Sequence, residues 1–209
     1  MVFQEKNNST DKKQSTRAQE SSQKKKLIYD KAMRLFSTYG YANTTIADIS
    51  RATGMSTGSI YHYYRNKEAI LMELSIYMSQ VEKLQTNIEK RAQDPYDTIF
   101  SHLLNYAKNW EDLGVNLTKH VYSIFDRAYM SPDHTLKKLV AHKQLTNFIS
   151  VAQRLGKFDN SIPAEKASEN LLTFCRGIIF EWTLFEGSFS LTERSREMLP
   201  RYLKTFIQE

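Results

Sequence analysis

Residues 35–71, LFSTYGYANTTIADISRATGMSTGSIYHYYRNKEAIL, contain the pattern that decides the fold of this chain. They predict two short helices separated by a turn at Gly54, and the second helix ends among tyrosines, a histidine and basic residues. A helix-turn-helix has this layout, and its second helix is the one that enters the major groove of DNA. The stretch therefore predicts a DNA-binding module.

Capping signals place the first helices around this stretch. Helix 1 is predicted over about residues 23–39, and Gly40 follows it as a C-terminal stop. Thr44 or Thr45 caps helix 2, and Gly54 permits the left-handed turn that ends it.

The rest of the chain is predicted to form longer helices between clear breaks. Helix 4 is predicted from Lys67 to about Arg91. Five more helices follow, over about residues 95–112, 115–129, 131–156, 163–186 and from Ser190 onward. Since no sustained alternation of polar and apolar residues is present, we expect an all-α fold of nine helices: three in an N-terminal bundle, one connector and five in a larger domain.

Composition argues against several other classes of protein. The 209 residues include 7 Gly, 4 Pro and one Cys, so no intrachain disulfide is possible and a reducing cytoplasm is expected. No apolar run reaches about eighteen residues, so membrane insertion is not expected. No phosphate-binding loop or catalytic motif is present, so neither an enzyme nor a cofactor is indicated. His102, His120, His142 and Cys175 fall on different predicted helices, without the short spacing of a metal site.

The positive charge is concentrated at one end of the chain. Residues 1–68 hold 12 of the 29 basic residues and 6 of the 23 acidic ones, which leaves 17 of each for residues 69–209. The entire net charge of +6 therefore belongs to the part with the helix-turn-helix pattern. Such an asymmetry is typical of a domain that faces DNA.

The N-terminal residues 1–22 hold almost no apolar side chains and are predicted to be a disordered tail. A solubilising tail is one interpretation. The other is a basic arm, ending in Lys24, Lys25 and Lys26, that lies along DNA phosphates or reaches a minor groove.

Helix 3 has the kind of outer surface that major-groove reading needs. Ile60 and Tyr64 point inward at four-residue spacing, and the predicted outer surface consists of Thr57, Gly58, Ser59, Tyr61, His62 and Tyr63. Thr44, Thr45 and Lys67 are placed to position the DNA backbone. Gly58 is unfavourable inside a helix, which either a close approach to DNA or a frayed first turn explains. Tyr61, Tyr63 and Tyr64 can each also be interpreted as packing residues.

The pattern GY-x-x-TTI-x-D-I-x-x-x-x-G-x-S-x-G-x-IY-x-Y-x-x-x-KE, from Gly40 to Glu68, resembles the DNA-binding segment of the TetR family of bacterial repressors. The resemblance covers about residues 24–74. It implies that one set of residues contacts the DNA backbone and that a second set contacts the bases. The first set is Thr44, Thr45, Tyr61, Tyr63 and Lys67, and the second is Thr57, Gly58, Ser59 and His62. Tyr64 departs from the phenylalanine that is frequent there, without consequence for packing.

The helix predicted within ENLLTFCRGIIFEWTLFEGSF, residues 169–189, is the most apolar of the chain. A helix that is apolar nearly all round is buried on several sides. With the last helix it can pair with the same two helices of a second subunit, and the resemblance implies such a four-helix homodimer. The predicted interface residues are Ile178, Trp182, Phe185, Leu199 and Leu203. A purely intramolecular core is the other interpretation.

A pocket for a small-molecule effector is predicted from a mixture of aromatic and polar residues. The candidates are Tyr106, Trp110, His120, Tyr122, Phe125, Tyr129, Phe148, Phe174 and Arg176. Ordinary core packing explains most of them equally well. Arg176 needs a partner in an apolar helix, either an anionic effector or an acid such as Glu181 or Glu169.

Together these patterns predict a homodimeric, cytoplasmic repressor with a helix-turn-helix domain (23–68) and an effector-binding and dimerisation domain (69–209). It would bind a palindromic operator in double-stranded DNA, with half-sites about one helical turn (~34 Å) or a multiple apart. By resemblance, an effector would release it through a population shift. Two other interpretations are the same DNA-binding fold without a small-molecule effector, and an enzyme or carrier that keeps the motif as a scaffold.

Overall fold

The computed structural model describes the backbone of residues 5–73, 94–129 and 140–207, and the side chains of residues 18–73, 94–124 and 141–207. The chain divides into two compact units, Met1–Glu73 and Leu74–Glu209. The first holds α1 (Glu5–Tyr39), α2 (Ile46–Thr53), α3 (Thr57–Tyr63) and α4 (Lys67–Met72). The second holds α5 (Pro95–Leu113), α6 (Val115–Tyr129), α7 (Val140–Arg154), α8 (Ala164–Leu184), α9 (Leu191–Leu203) and a 3₁₀ turn, Lys204–Phe206. The prediction of nine helices and an all-α fold is confirmed over these residues.

The N-terminal helix is longer than the sequence predicts. α1 begins at Glu5, whereas residues 1–22 are predicted to be disordered. Residues 5–22 have few apolar side chains, but they contain neither glycine nor proline and include several Lys, Gln and Glu, which favour helix. Extending an existing helix costs far less than nucleating one, so such residues can continue a helix that begins in the core. The low apolar content of residues 5–22 therefore means that this part of the helix has no apolar face. It does not mean that these residues are not helical.

The first unit has a small aliphatic and aromatic core to which all four helices contribute. Its fully buried side chains are Ile28, Ala32, Phe36, Ile49, Ile60, Ile70 and Leu71. Burial of each larger member stabilises the fold by about 1.5–3 kcal/mol. α4 ends at Met72 with Glu73 as its cap residue, so it is shorter than the helix predicted from Lys67 to Arg91. The later positions of that prediction lie outside the described residues.

α8 is the centre of the second unit. It packs against α5, α6, α7 and α9, and seven apolar side chains from several of its sides are buried: Ala167, Leu171, Leu172, Cys175, Ile178, Ile179 and Trp182. Burial also raises the pKa of the Cys175 thiol to about 12, so this cysteine stays protonated and unreactive. In the part of the chain that the structure describes, no helix has the length and apolar character needed to cross a membrane.

Three helix boundaries of the second unit agree with the predicted ranges, and the start of the helix predicted over 131–156 lies outside the described residues. The Asp94 carboxylate accepts a hydrogen bond from the Tyr96 N–H at 3.0 Å, with Pro95 in the first helical turn of α5. Gly114 separates α5 from α6 with a φ of +85°, a conformation that favours glycine. The Ser190 hydroxyl accepts from the Glu193 N–H at 3.2 Å and caps α9.

A carboxylate from α5 joins that helix to the start of α9. Glu111 accepts hydrogen bonds from the Leu191 N–H at 2.9 Å, from the Thr192 N–H at 3.1 Å and from the Thr192 hydroxyl. Burial alone raises the pKa of Glu111, but the hydrogen bonds from Thr192, Ser190 and Leu191 outweigh it and hold the pKa below its usual range. The ionised carboxylate therefore supplies acceptors for backbone N–H groups that begin α9.

We predict that Glu111→Gln lowers the free energy of unfolding by about 1–3 kcal/mol, because charge-assisted hydrogen bonds are lost. Urea denaturation measures this difference. Since the folded-state pKa of Glu111 is depressed, its contribution is present above the unfolded-state pKa and disappears as pH falls through the folded-state value. Glu197→Gln, at an exposed position of α9, is the control and is expected to leave stability unchanged. Equal stability of the two variants at neutral pH would contradict this role.

Candidate nucleic-acid interface

The first helix of the motif, α2, begins with a reciprocal cap. The Thr45 N–H donates to the Asp48 carboxylate at 2.8 Å, and the Asp48 N–H donates back to the Thr45 hydroxyl at 3.2 Å. The hydroxyl and backbone N–H of Thr45, together with Arg51, lower the pKa of Asp48 and keep it ionised. Of the two predicted caps, Thr45 is the one that caps α2, and it is exposed on the surface of the unit.

The turn between α2 and α3 has the geometry that the sequence predicts. Gly54 ends α2 with a φ of +69° and a ψ of 14°, in the left-handed region where a side chain is strained. Ser56 then caps α3, since its hydroxyl accepts from the Ser59 N–H at 3.1 Å. The two caps set the short connection of a helix-turn-helix.

α3 is anchored on one side and open on the other. Ile60 is fully buried and Tyr64 is 3% exposed, as predicted. On the other side, Thr57, Gly58, Tyr61 and His62 are exposed, while Ser59 and Tyr63 are half-buried. The His62 ring meets the Tyr63 ring edge-on, with centroids 5.1 Å apart. The open side offers hydroxyl, imidazole and aromatic groups to an external partner.

Gly58 is not required by the fold of the unit itself. Its φ lies outside the left-handed region, and a Cβ added there would come no closer than 3.9 Å to another group, the Ser56 hydroxyl. A glycine within a helix costs about 1 kcal/mol relative to alanine. The packing of the first unit therefore gives no reason for a glycine at this position.

Two predicted contact residues make hydrogen bonds within the first unit. Thr44 is buried, and its hydroxyl donates to the Gly40 carbonyl at 2.9 Å. The Lys67 ammonium donates to the Tyr41 carbonyl and, at 2.8 Å, to the Thr44 carbonyl. It also lies 4.2 Å from the centre of the Tyr41 ring, and burial lowers its pKa. Thr44 therefore does not present its side chain to solvent, and Lys67 uses two of its three N–H donors to hold residues 40–45 on α4.

The end of α3 is tied to α1 by contacts that sequence reasoning missed. The Tyr64 hydroxyl donates to the Lys25 carbonyl at 3.2 Å, and the Lys25 ammonium lies 5.3 Å from the centre of the Tyr64 ring. Lys25 also forms an ion pair with Glu73 at 2.6 Å. The only sign of these contacts in the sequence is the hydroxyl of Tyr64, because the phenylalanine that is frequent at this position in the family lacks it.

The described effector candidates of the second unit make several separate aromatic contacts. Tyr106, Trp110 and Tyr122 form one aromatic cluster, with centroids 6.2 and 5.6 Å apart along it. Phe148 packs edge-on against His102, whose pKa burial lowers to about 4, and Phe174 stacks on Tyr202 at 4.3 Å. The half-buried His120 contributes its carbonyl to a hydrogen bond from Ser123. The side chains of Phe125 and Tyr129 lie outside the described residues.

Arg176 has a partner other than the two acids that were predicted for it. Its guanidinium donates to the Thr173 hydroxyl at 2.9 Å on the half-exposed side of α8. The acids proposed as its partners are engaged elsewhere: Glu169 pairs with Lys166 at 3.1 Å, and Glu181 lies 4.0 Å from Arg194. A half-exposed guanidinium keeps part of its hydration, so it does not require a buried acid.

The predicted dimer residues are mostly used inside the subunit. Ile178, Trp182, Leu199 and Leu203 are buried within the second unit, and Ile178 also lines the groove described below, so their part in an interface stays a prediction. Phe185, the fifth predicted residue, is 58% exposed. Two neighbouring residues that were not predicted are also exposed, Phe180 at 52% and Leu184 at 64%. Beside them an open groove of about 500 Å³ lies between α8 and α9, with Gly177, Met198 and Tyr202 among its lining residues.

A helix-turn-helix with an exposed, polar and aromatic second helix, joined in one chain to a larger helical unit, defines a DNA-binding transcription regulator. Residues 28–74 match the family model for bacterial regulatory proteins of the tetR family. The chain is 35% identical over 168 residues to the HTH-type transcriptional repressor AcnR of Corynebacterium jeikeium, in a match that covers 79% of this chain and 85% of that protein. The chain belongs to the tetR family and is a transcription regulator, not an enzyme.

Other similar proteins agree with this membership. The HTH-type transcriptional regulator TtgR of Pseudomonas putida is 26% identical over 189 residues, or 85% of each chain. FadR of Thermus thermophilus, a TetR family transcriptional repressor solved in complex with lauroyl-CoA, has a TM-score of 0.58 at 21% identity. That comparison covers 84% of this chain and 91% of FadR, and it shows a shared fold.

Proposed function

We propose that the chain is a repressor that binds a palindromic operator in double-stranded DNA as a homodimer and acts in the cytoplasm. The observation that carries the proposal is the open side of α3, where Thr57, Gly58 and His62 are exposed while Ile60 and Tyr64 hold the helix from behind. An α-helix fits the major groove, and exposed hydroxyl and imidazole groups can donate to and accept from base edges there.

The DNA-contact residues divide into two groups in this proposal. Thr57, Gly58, Ser59 and His62 lie nearest the bases, and Thr45, Tyr61 and Tyr63 contact the sugar-phosphate backbone. Thr44 and Lys67 support binding from within, because they hold the turn before α2 in place.

The proposal also includes repression of transcription and release from DNA by an effector. AcnR, at 35% identity, is a transcriptional repressor, which supports the same direction of control for this chain. An effector that binds the second unit better in one conformation than in another would shift the population away from the DNA-binding state. FadR of Thermus thermophilus, in complex with lauroyl-CoA, supports such a small molecule through the fold alone.

A regulator of the same fold without a small-molecule effector is the second candidate. It is favoured by the contacts that the described aromatic residues make with one another, since Tyr106 packs on Trp110 and Phe174 stacks on Tyr202. Aromatic contacts of this kind stabilise a core without any ligand.

The homodimer is proposed to form through the outer face of α8 and the adjoining groove. Phe180, Leu184 and Phe185 are large apolar residues that expose more than half of their surface near the end of α8. Gly177 is also on the exposed side, and a Cβ added there would meet nothing within 4 Å. A two-fold pairing of this face would cover these residues with their own copies.

Selection of bound duplexes from a randomised DNA pool tests the DNA-binding proposal. We expect enrichment of an inverted repeat, because a two-fold dimer presents two copies of α3. Thr57→Ala or His62→Ala should change the preferred bases, whereas Tyr63→Phe should weaken binding to all duplexes alike. Enrichment of no sequence, or identical behaviour of the two kinds of variant, would contradict the assignment.

Gly58→Ala separates the stability of α3 from its function. The free protein should gain about 0.5–1 kcal/mol in stability, because the position is helical, open and not left-handed. DNA binding should weaken nevertheless, since the added methyl group lies where the groove floor approaches. Thermal melting and equilibrium titration of the selected duplex measure the two effects. A stabilised variant with unchanged affinity would show that α3 does not approach DNA closely at Gly58.

Phe180→Ser combined with Leu184→Ser should dissociate the proposed dimer. Truncating apolar residues at the centre of an interface costs about 1–2 kcal/mol or more each, so the dimer should weaken at least tenfold. Sedimentation equilibrium gives the dissociation constant. Leu155→Ser is the control, since Leu155 is 52% exposed but lies at the end of α7. A double variant that is as dimeric as the control would rule out this face.

A further inference from the structure

A shallow depression lies beside α3 on the side that faces α1. Its volume is about 460 Å³, and its lining consists of Lys24, Met55, Ser56, Gly58, Ser59, His62 and Tyr63. Lys24 is the only lysine or arginine among these described residues. The depression therefore joins one permanent positive charge to four residues of the proposed DNA-reading helix.

The three neighbouring lysines of α1 differ in how their charges are compensated. Lys25 pairs with Glu73 at 2.6 Å, and Lys26 pairs with Asp30 at 2.7 Å. Lys24 is exposed, and within the described part of the chain no ion pair joins it to a carboxylate. Of the three lysines, Lys24 is the one whose charge is not already shared with a described carboxylate and is therefore available to an external anion.

The position of Lys24 relative to α3 is fixed by its neighbour. The Tyr64 hydroxyl, just after α3, donates to the Lys25 carbonyl, and the Lys25 ammonium lies against the Tyr64 ring. The backbone of α1 is thus attached to the end of α3 one residue away from Lys24. A lysine held in this way loses less freedom on binding than one on a flexible arm.

We propose that Lys24 binds a phosphate at the edge of the major groove that α3 enters. An α-helix with its side chains is about 10–12 Å wide and the groove is about 12 Å wide, so α3 fills it from edge to edge. A cation directly beside α3 therefore meets the phosphates of the adjoining strand. This inference rests on the proposed function, and it assigns the phosphate contact to Lys24 alone in place of an N-terminal arm ending in Lys24, Lys25 and Lys26.

The salt dependence of DNA binding distinguishes this contact from a general effect of charge. Each phosphate contact adds about 0.9 to the slope of log K against log salt concentration. Lys24→Gln should lower the magnitude of that slope by about 0.9, and should weaken binding roughly tenfold near 0.1 M salt. The effect should be equal on the selected duplex and on mixed-sequence duplex DNA, because a phosphate carries no sequence information.

The matched control is Lys26→Gln, which removes the same net charge two residues away from a lysine that is already paired. It should leave the slope unchanged, and Lys24→Arg should retain the wild-type slope. Equal slopes for Lys24→Gln and the wild type would overturn the inference, as would equal losses in Lys24→Gln and Lys26→Gln. If the wild-type protein itself showed no salt-dependent DNA binding, the proposed function would fail together with this contact. Thermal melting confirms that the exposed substitutions leave the fold intact.

Discussion

The seven residues of α3 are too few to form a stable helix in water on their own, since isolated helices shorter than about 12–15 residues are marginal. The position of α3 therefore depends on contacts with the rest of the first unit. Ile60 supplies the apolar anchor, and the Ser56 cap satisfies an N–H group of the first turn. Because all of these contacts lie on one side or at the ends, the other side of α3 is free for a partner.

Side-chain hydrogen bonds to backbone carbonyls also fix the orientation of α3. Burial of Ile60 is favourable over a range of orientations, because the hydrophobic effect depends on area and not on angle. The hydrogen bonds of Tyr64 to Lys25 and of Lys67 to Thr44 act over fixed distances and angles. They attach the end of α3 to α1 and the turn before α2 to α4. A regulator that reads base edges needs this fixed orientation, since its contacts are themselves hydrogen bonds of defined geometry.

The parts of the fold that could be predicted from the sequence are those that depend on nearby residues. The cap at Thr45, the left-handed Gly54 and the inward side of α3 all arise within a few positions of one another. The role of Lys67 depends on carbonyls 23 and 26 residues earlier in the chain, and no local pattern specifies them. One physical sign was present, because a lysine at the start of α4 opposes the helix dipole and so needs a compensating interaction. Its two carbonyl partners and the Tyr41 ring supply that compensation.

The same distinction explains the interface residues of α8. Strong apolar character in the sequence pointed to Ile178 and Trp182, but α8 contacts four other helices, and these take up its most apolar sides. What faces outward is the remaining strip. Phe180 and Leu184, four residues apart, share this strip because the helix repeats every 3.6 residues. For a helix at the centre of a bundle, the side chains available to a second subunit are those that its neighbours leave uncovered. Apolar residues on that strip are unfavourable in water and gain by association, so Phe180 and Leu184 are the better candidates for the proposed dimer contact.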